Sequence, residues 1–301
     1  MKIKQLKNPY RIVFFLSNRR LLNWMGDRSY LKLRYRAMMA KKLNLKDPKT
    51  YTAKLQWLKL YDRNPAYISL VDKHAVRSYV KETIGEEYLI PHYGVWDHFG
   101  DIPFEQLPQS FVLKCTHDSG GMLICQDKSR LNLDEARKKM EKARTRSFFK
   151  LNREWPYKNV TPRIIAEQYM ENTKTKDLRD YKFFCFDGVP KLMFVATDRQ
   201  TQGEDTKFDF FDMDYQHLQI VNGHPNAPIT PERPVNFELM KELAAKLSKG
   251  IPHVRVDFYE VDGRVYFGEM TFYHFSGTVP FQPGYWDKTI GDWITLPQKR
   301  V

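Results

Sequence analysis

The sequence predicts an α+β protein with two subdomains and a basic helical amino-terminal extension. Its strongest pattern is Val254–Gly277, where apolar and polar residues alternate with a period of two around Asp262-Gly263, as in a β-hairpin. Two shorter apolar segments, Phe111–Lys114 and Met122–Cys125, flank a glycine-containing loop and predict a second strand pair. Amphipathic helical segments lie outside these hairpins. Antiparallel strand pairs with separate helices are typical of the α+β class.

Positive charge is concentrated at the amino terminus. The 301-residue chain has a formal net charge of +13, and its first 50 residues hold fourteen Lys and Arg against two Asp. The other residues are therefore close to neutral as a group. We place a basic arm at residues 1–50, ahead of a globular body, and the aromatic content of 14% argues against disorder.

Two interpretations of this basic arm remain open. Residues 10–25 combine apolar and aromatic side chains with Arg11, Arg19 and Arg20, a composition typical of a helix that lies on an anionic membrane surface. The same helix can instead pack on the protein's own core and leave its cations in water. Nucleic acid is disfavoured as a partner because no zinc, RNP or helix-turn-helix pattern accompanies the charge.

Other features of the sequence favour the cytoplasm. No apolar stretch approaches the roughly 20 residues of a membrane span, and Ile12–Leu16 is too short for the core of a signal peptide. Cys115, Cys125 and Cys185 lack metal-ligand spacing, and three cysteines cannot all pair within one chain, so buried reduced thiols are expected. We therefore expect a cytoplasmic protein, peripheral on the inner face of the membrane if the arm binds lipid.

The region between residues 51 and 108 is predicted to be mainly helical. A leucine-rich segment ends near Asn64-Pro65, and Asp72 can cap a helix over Lys73–Thr83 that stops at Gly85. Lys73 lies in the first turn of that helix, where its ammonium group can reach a phosphate. It is equally compatible with an ordinary surface lysine.

Three segments beyond this region carry features suited to a nucleotide. The loop His117–Gly121 follows Lys114 and can cover phosphates with its backbone N–H groups, although it lacks the Gly-Lys-Ser/Thr of a P-loop. The strand Arg163–Met170 ends where a crossing between subdomains can hydrogen-bond adenine. Lys182 lies in the aromatic strand Asp180–Phe186, where an unpaired ammonium is costly to bury, so it either reaches water or meets an anion.

The hairpin carboxylates Asp257 and Glu269 form a candidate metal site. They share a face only if the connecting loop has an odd number of residues. We therefore predict a three-residue loop, Val261-Asp262-Gly263, which pairs Glu260 with Arg264. Most carboxylates on a hairpin bind nothing, so a metal site here needs support from the rest of the chain.

In this predicted register one face of the hairpin carries four polar side chains, which are Arg255, Asp257, Glu269 and Thr271. A hard divalent cation needs two nearby carboxylates. A nucleotide bridged by such a cation is stabilised by a guanidinium beside it. The face is therefore predicted to bind a metal ion and phosphate.

Together these segments resemble ATP-grasp enzymes, and more closely their TupA-like branch, named for teichuronopeptide biosynthesis and found in surface-polysaccharide gene clusters. The similarity extends over roughly residues 30–290 and rests on DPKTYTAKLQWLKLYDRNP, LVDKHAVRSYVKETIGEEYLIP, FVLKCTHDSGG, IIAEQYM, DYKFFCFDG and VRVDFY…YFGEMTFYHFSG. The resemblance implies an ATP-grasp fold, in which two α+β subdomains clamp ATP. We assign 51–108 to a preceding region, 109–175 to the small subdomain and 176–301 to the carboxyl-terminal subdomain with the metal site.

The resemblance also implies roles for particular residues. Those matched to nucleotide binding are Lys73, Lys114, His117, Ser119, Gly120, Gly121, Glu167, Gln168, Tyr169, Met170 and Lys182. Arg255 matches the arginine that steadies an acyl-phosphate intermediate, and with Lys182 it forms the implied catalytic pair. Asp257 and Glu269 match the two magnesium carboxylates. Thr271 stands where the family usually has Asn, and its hydroxyl is also an oxygen ligand.

The loop after the hairpin is the predicted acceptor region. It reads FYHFSG where better-known members of the family have a proline-containing turn, and its candidate residues are His274, Ser276 and Gly277. His274 either assists deprotonation of an amine or has a structural role, and structural histidines are the more common of the two.

The activity that the resemblance implies is ADP-forming ligation of a carboxylate to an amine through an acyl phosphate, with ATP and Mg²⁺ as cofactors. The implied substrates are a uronic-acid-bearing bacterial surface polysaccharide, such as a capsule, or its nucleotide- or lipid-linked precursor, and an amino acid or amine that forms the amide bond. A glycosyltransferase is the alternative, because Asp212-Met213-Asp214 has the spacing of a DxD metal site. That short motif is common by chance.

Overall fold

A computed structural model describes residues 9–118, 120–173, 178–198 and 205–300. The α-helices within these ranges are α1 (Pro9–Asn18), α2 (Asp27–Met39), α3 (Tyr51–Tyr61), α4 (Ala66–Val71), α5 (Val76–Thr83), α6 (Leu133–Arg144), α7 (Phe148–Asn152), α8 (Phe237–Leu247) and α9 (Tyr285–Asp292). The strands within the same ranges are β1 (His92–Trp96), β2 (Phe111–Cys115), β3 (Met122–Cys125), β4 (Ile164–Gln168), β5 (Asp180–Phe186), β6 (Val189–Thr197), β7 (Lys207–Phe211), β8 (His217–Leu218), β9 (Val254–Val261) and β10 (Arg264–Thr271).

Strands β1 to β4 form a four-stranded antiparallel sheet in the order β1-β4-β2-β3. Helix α6 packs against this sheet, where Ala136 and Met140 share an apolar cluster with Phe111 and Leu113. The Asn132 side chain accepts hydrogen bonds from the first turn of α6, which defines where the helix begins. The predicted strand pair around the glycine-containing loop is β2 and β3 of this sheet. All three cysteines of the chain are buried and free, as predicted.

Strands β5 to β10 form a six-stranded antiparallel sheet in the order β10-β9-β5-β6-β7-β8. Every residue of β5 is buried. Phe183 packs against Phe237 of α8, with ring centroids 5.9 Å apart, and Phe184 lies 6.1 Å from Tyr51 of α3. Consecutive residues of a strand point to opposite faces, so helices cover this sheet on both sides. The aromatic sequence of β5 follows from that double burial.

Helix α2, from the predicted basic arm, packs into the main core. Tyr30, Leu31 and Tyr35 are each no more than 3% exposed, and Tyr30 Oη donates a hydrogen bond 2.7 Å long to the Leu151 carbonyl. For this part of the arm, packing on the protein's own core is the arrangement found. Residues 1–8 lie outside the described residues, and within the described ranges no helix is long and apolar enough to cross a membrane.

The hairpin of β9 and β10 turns through two residues, so the predicted three-residue loop is wrong. Val261 pairs with Arg264, and the loop is Asp262-Gly263, whose φ angles are 50° and 79°. Two consecutive positive φ angles are typical of a type I′ turn, for which Asp-Gly is a favoured pair. Glu260 consequently pairs with Val265 instead of Arg264.

A bulge at Gly268 nevertheless produces the predicted face. The register shifts at this residue, so that Glu269 lies opposite Asp257 and Thr271 lies opposite Arg255. A Cβ atom on Gly268 would lie 3.1 Å from the Asp257 carbonyl oxygen, so the bulge has little room for a side chain. The two-residue turn and the one extra residue in β10 together create the odd offset that a shared face requires.

Candidate active site

A buried carboxylate in the large sheet organises the candidate active site. Asp257 on β9 pairs with Lys182 on β5 and with Glu269 on β10. Residues paired across antiparallel strands point to the same face, and Arg255, two positions before Asp257, points there too. With Thr271, these residues form what we call the hairpin group (Lys182, Arg255, Asp257, Glu269 and Thr271).

Two cations share the carboxylate of Asp257. Arg255 donates from Nε to Oδ1 and from Nη2 to Oδ2, both at 2.7 Å, and Lys182 Nζ lies 2.5 Å from Oδ2. Lys182 also lies 2.8 Å from a carboxylate oxygen of Asp180. Burial raises the pKa of Asp257, but the charges of Arg255 and Lys182 outweigh burial and hold the pKa below its usual range. Of its two predicted options, Lys182 therefore meets an anion.

His274 holds the other side of Arg255 as a neutral ring. Arg255 Nη1 donates to His274 Nδ1 at 2.7 Å, and His274 Nε2 donates to the Asn222 side-chain oxygen at 2.8 Å. Because an arginine side chain has no acceptor, Nδ1 is the acceptor and the proton lies on Nε2. Burial, followed by the charge of Arg255, lowers the pKa of His274 well below its usual range. This geometry favours a structural role for His274.

Glu269 is the accessible carboxylate of the hairpin group. Its side chain is 40% exposed, against 1% for Asp257, and the Thr271 hydroxyl donates to it at 3.4 Å. Two carboxylates and a hydroxyl are hard oxygen donors, and Mg²⁺ usually binds one or two carboxylates together with water and phosphate oxygens. These residues therefore fit magnesium, although among the described residues no three His, Cys, Asp or Glu side chains form a metal-binding cluster. The magnesium site stays a prediction.

An apolar cleft with a cavity volume of about 100 Å³ lies between the two sheets. Its walls are Ile90, Val112, Lys114, Met122, Ile124, Gln168, Tyr169, Met170, Leu178 and Tyr259. The predicted adenine hinge, Gln168–Met170, and the predicted phosphate residue Lys114 thus border one cleft. Apolar walls with a few polar groups are typical of sites that bind small molecules such as a nucleotide base.

Three of the predicted nucleotide residues meet beside this cleft, in a narrow recess that Lys73, Lys114 and Glu167 line together. Lys114 Nζ lies 2.6 Å from Glu167 Oε2, and Arg77 lies 3.9 Å from the other oxygen. Lys73 Nζ donates to the Asp118 carbonyl at 2.6 Å. Arg77 is a further cation of the recess that the sequence analysis did not identify.

The glycine-containing loop is held by side chains whose importance the sequence did not indicate. His117 is buried, and its Nε2 lies 3.1 Å from the Arg146 carbonyl oxygen. Arg146 Nη2 donates to both carboxylate oxygens of Asp118, at 2.8 and 2.6 Å. The start of the predicted phosphate loop is therefore fixed by Arg146, which follows α6.

The glycines of this loop have different surroundings. Gly120 is exposed and has a φ of 96°, a conformation that glycine adopts without strain. Gly121 is buried, and a Cβ atom there would lie 2.9 Å from the Ala143 side chain of α6. Ser119, also predicted to bind phosphate, lies outside the described residues. Glycine at 121 therefore lets the loop close against α6.

A polar pocket with a cavity volume of about 590 Å³ adjoins the hairpin group. Four hairpin residues line it, namely Lys182, Arg255, Glu269 and Thr271. Its aromatic walls are Phe148, Tyr157, Phe194, Phe208, Tyr273 and Phe275. Charged groups set among aromatic side chains suit a polar substrate with flat or ring-shaped parts.

A second polar group borders the same pocket through Arg34, Asn152, Glu154 and Ser276. Together with Lys59, which is bonded to Ser276 and Asn152, we call it the helix group (Arg34, Lys59, Asn152, Glu154 and Ser276). Lys59 on α3 is 1% exposed and donates to the carbonyl and hydroxyl oxygens of Ser276 at 2.8 and 2.6 Å. Burial raises the pKa of Glu154 to about 7 and lowers that of Lys59 to about 7. Of this group the sequence analysis identified only Ser276, although a lysine within the apolar run of α3 was a usable signal.

The loop after β10 joins the two groups. Phe275 and Ser276 have φ angles of 46° and 56°, which is strained for residues other than glycine. Gln56 Nε2 supports this conformation by donating to the carbonyls of Ser276 and Gly277 at 2.9 and 3.0 Å. A Cβ atom on Gly277 would lie 2.6 Å from Gln56 Nε2. Of the predicted acceptor residues, His274 and Ser276 line the pocket, whereas Gly277 packs on α3.

The alternative metal motif, Asp212-Met213-Asp214, lies in the turn between β7 and β8. Asp212 Oδ1 accepts hydrogen bonds from the backbone N–H groups of Asp214 and Gln216 at 3.0 and 2.8 Å. Among the described residues that line the two clefts, neither aspartate is present. Turn formation accounts for Asp212.

Two antiparallel sheets enclosing a lysine-bordered cleft, with a group of carboxylates and an arginine next to it, define a protein of the ATP-grasp class. The chain belongs to the TupA-like ATPgrasp family, whose model matches residues 53–295. The predicted fold class and family are thereby confirmed. The comparison with curated proteins finds no match.

Solved structures similar to this chain include ligases. The D-alanine–D-alanine ligase from Bacillus anthracis, complexed with ATP, shares 16% identity at a TM-score of 0.42, covering 68% of this chain and 55% of that one. The corresponding ligase from Helicobacter pylori shares 13% identity at a TM-score of 0.46, covering 84% and 68%. The ATP-grasp ligase PsnB, complexed with minimal precursor, Mg and ADP, shares 11% identity at 0.39, covering 86% and 66%. This chain thus spans little more than half of the first ligase.

Proposed function

We propose that this chain is an ATP-dependent, ADP-forming ligase that joins a carboxylate to an amine. Membership in an ATP-grasp family supports an ATP-dependent ligase in general. The observation that carries the specific reaction is the position of the hairpin group. Arg255 and Glu269 border the polar pocket, while Gly268, next to Glu269, lines the recess that contains Lys114. A phosphate donor on one side and an acceptor on the other would therefore meet at β10.

We further propose that the carboxylate belongs to a uronic acid of a surface polysaccharide or of its nucleotide- or lipid-linked precursor. The charged side chains that line the polar pocket are three cations, Arg34, Lys182 and Arg255, and two carboxylates, Glu154 and Glu269, so the lining carries one more positive than negative charge. Fixed positive charge in a cleft attracts an acidic substrate. The aromatic walls offer apolar faces to sugar rings. The amine is supplied by an amino acid or by a simple amine.

The proposed reaction has two steps. A carboxylate oxygen of the substrate attacks the γ-phosphorus of ATP, the bond from that phosphorus to the β,γ-bridging oxygen breaks, and an acyl phosphate and ADP form. The amine nitrogen then attacks the acyl carbon, and the carbon–oxygen bond to phosphate breaks. An amide and inorganic phosphate are released, and the nitrogen gives its surplus protons to solvent. No side-chain nucleophile takes part.

The protein's own residues contribute position and charge in this scheme. Arg255 is held from two sides by Asp257 and His274, so its guanidinium charge is fixed in the pocket wall before any substrate binds. Lys182 shares the same carboxylate and lines the same pocket. Lys114, at the apolar cleft, balances phosphate charge on the nucleotide side.

Magnesium, held by Asp257, Glu269 and the Thr271 hydroxyl, would neutralise charge on the phosphate oxygens. Glu269 is the most accessible carboxylate of this set. It lies 3.5 Å from Arg255 Nη2, but Arg255 keeps its hydrogen bonds to Asp257 and His274 when Glu269 is changed. We expect Glu269→Gln to lower ADP release by about a hundredfold or more while the protein stays folded. Glu242→Gln, at an exposed position of α8, is the matched control and should leave turnover unchanged.

The experiment combines ATP and Mg²⁺ with methyl glucuronide, UDP-glucuronic acid and uronic-acid oligosaccharides, each tested with amino acids and simple amines. ADP release that requires both partners, with a product mass equal to their sum minus water, would establish the ligase. Full activity of E269Q would reject the magnesium assignment. Sugar transfer from a nucleotide-sugar without ATP consumption would establish the glycosyltransferase instead.

We also propose that the protein works in the cytoplasm, at the inner face of the membrane. The segment before α2 exposes four large apolar side chains, Ile12, Phe15, Leu21 and Trp24, by 40%, 37%, 55% and 82%. Apolar side chains among arginines suit an anionic lipid surface. Trp24→Ser should reduce sedimentation with vesicles of anionic phospholipid, whereas Tyr285→Ser, at another exposed aromatic residue, should not. Equal binding of W24S and the unaltered protein would remove the membrane from the proposal.

A further inference from the structure

Arg34 reaches the polar pocket from outside the residues that the family model matches. It lies on α2, whereas the match begins at residue 53. The residue lines the pocket but is only 7% exposed. Its Nη2 donates to the Asn152 side-chain oxygen at 3.3 Å, while Nε and Nη1 have no hydrogen-bond partner among the described residues. A buried guanidinium in this state is costly. Both unpartnered nitrogens have almost no exposed surface, so a ligand that bonds to them enters with a small shift of the side chains around Arg34.

Two charged groups near Arg34, Lys59 and Glu154, interact with it through charge. Lys59 and Glu154 are 1% and 4% exposed, and each opposes the effect of burial on the pKa of the other. Lys59 makes its hydrogen bonds to Gln56, Asn152 and Ser276, so its interaction with Glu154 is through charge and not through a direct bond. Arg34 and Glu154 line the same pocket, and the charge of Arg34 lowers the pKa of Glu154. Even so, two of the three nitrogens of Arg34 bond neither to Glu154 nor to any other described residue.

We infer that this part of the pocket binds an α-amino acid, with Arg34 holding its carboxylate and Glu154 holding its ammonium group. The inference rests on the proposed function and names its amine substrate. A guanidinium and a carboxylate that lie close together without a direct bond can bind a zwitterion between them. An α-amino acid is such a zwitterion, because its carboxylate and its ammonium group are attached to one carbon. Guanidinium and carboxylate groups also form strong two-point hydrogen bonds.

The same arrangement predicts discrimination against simple amines. An amine without a carboxylate would pair with Glu154 and leave the buried guanidinium of Arg34 unpaired. Sites built to hydrogen-bond a group reject analogues that lack this group far more strongly than apolar pockets reject a missing methylene. Arg34 is therefore a specificity-determining residue, separate from the hairpin group.

The location suits the second step of the proposed reaction. Burial, followed by the charges of Glu154 and Glu269, raises the pKa of Tyr157 well above its usual range. Tyr157 lines the same pocket as both carboxylates, one from each group. An amino acid held by Arg34 and Glu154 would therefore have its nitrogen in the pocket in which the acyl phosphate forms.

The test is calorimetric titration of the full chain with AMP-PNP and Mg²⁺ present, using the proteinogenic amino acids and their D-enantiomers as probes. We expect at least one of them to bind. Its α-amide and its decarboxylated amine should bind about tenfold more weakly or worse, because neither offers a carboxylate to Arg34. Binding is measured without turnover, so the result does not depend on the proposed ligase activity.

Four variants assign the preference to particular residues. Arg34→Gln should weaken amino-acid binding about tenfold and abolish the preference over the amide. Arg34→Lys keeps the charge without the planar guanidinium, so its affinity for the amino acid should lie between those of the unaltered protein and R34Q. R34K replaces R34Q in the test if circular dichroism shows that R34Q is unfolded. Glu154→Gln should weaken the amino acid and its amide alike. Arg36→Gln, on the exposed side of the same helix, should change nothing.

The possible outcomes separate the inference from the proposed function. If no amino acid binds, or if the Arg34 variants keep the full preference for the carboxylate, the inference is overturned. Amino-acid binding without ADP release from any carboxylate partner would support the inference and reject the ligase. ADP release that is equally efficient with simple amines would keep the ligase and overturn the inference.

Discussion

The hairpin group and the helix group border one pocket, yet the buried arginines of the two groups use different numbers of their nitrogens as hydrogen-bond donors. In the hairpin group, Arg255 uses all three of its nitrogens as hydrogen-bond donors. In the helix group, Arg34 uses one nitrogen on Asn152 and leaves two without partners among the described residues. A fully bonded group keeps its geometry without a ligand, whereas a partly bonded group gains most from binding one.

This difference assigns separate tasks to the two groups. The hairpin group comes from adjacent strands, so strand register positions its side chains in advance. A rigid, charge-balanced group suits the stabilisation of developing charge. The helix group comes from α2, α3, the chain around α7 and the loop after β10, and its unsatisfied guanidinium suits recognition of a substrate.

The largest effect on stability is expected from Asp257→Asn, in the hairpin group. The variant leaves Arg255 and Lys182 buried without their shared carboxylate, and removal of one partner from a buried ion pair typically costs about 3–5 kcal/mol. The free energy of unfolding, measured with urea, should fall by about that amount, with loss of ADP release. Asp214→Asn, in an exposed turn, is the control and should change stability by less than about 0.5 kcal/mol. A comparably small loss for D257N would refute the role given to this carboxylate.

An intermediate effect is expected on the pH dependence of stability, with opposite signs for the two groups. His274 is buried as a neutral ring, with its folded pKa well below 6.5. The stability that this neutrality provides is present above the unfolded pKa and is lost as the pH falls. Glu154 has its pKa raised from 4.5 to about 7. Its contribution is therefore fully present below pH 4.5 and is lost as the pH rises through 7.

One variant in each group tests these signs. Between about pH 5 and 6, His274→Gln should reduce the acid-induced loss of stability by about 1.4 kcal/mol per pH unit. Glu154→Gln should increase that loss by a similar amount. Urea denaturation at several pH values measures both slopes. Slopes that shift in the same direction for both variants would contradict the difference drawn between the groups.

The smallest effect on stability is expected from Gly268→Ala, which tests the bulge that aligns the hairpin group. The added Cβ would lie 3.1 Å from the Asp257 carbonyl, so the backbone of β10 must shift slightly. We expect a loss of about 1 kcal/mol in unfolding free energy and about tenfold in ADP release, because Glu269 is displaced. Gly284→Ala, where no atom lies within 4 Å, is the matched control. Unchanged turnover in G268A would show that the bulge does not position Glu269.

Local patterns in the sequence predicted the α+β class, the hairpin and the shared face of Asp257 and Glu269. Alternation with a period of two depends only on neighbouring residues, so it can be seen without the fold. The turn was predicted wrongly because the extra residue that brings Asp257 and Glu269 to one face was assigned to the loop. The structure places it at Gly268 in β10, where a glycine inside a strand was the available sign of a bulge.

The sequence by itself determined the family, the strands that carry the hairpin group and the residues of the apolar cleft that match the nucleotide motifs. Only the tertiary structure decided that Arg34 belongs to the pocket. In the sequence Arg34 is one of fourteen cations in a basic arm, whereas the fold brings it to Asn152 and Glu154, more than a hundred residues away. The composition gives the number of charged side chains, but the hydrogen-bond partners of each one depend on packing between distant segments. These partners hold Arg255 rigidly, whereas their absence at two nitrogens of Arg34 leaves that residue able to bind a ligand.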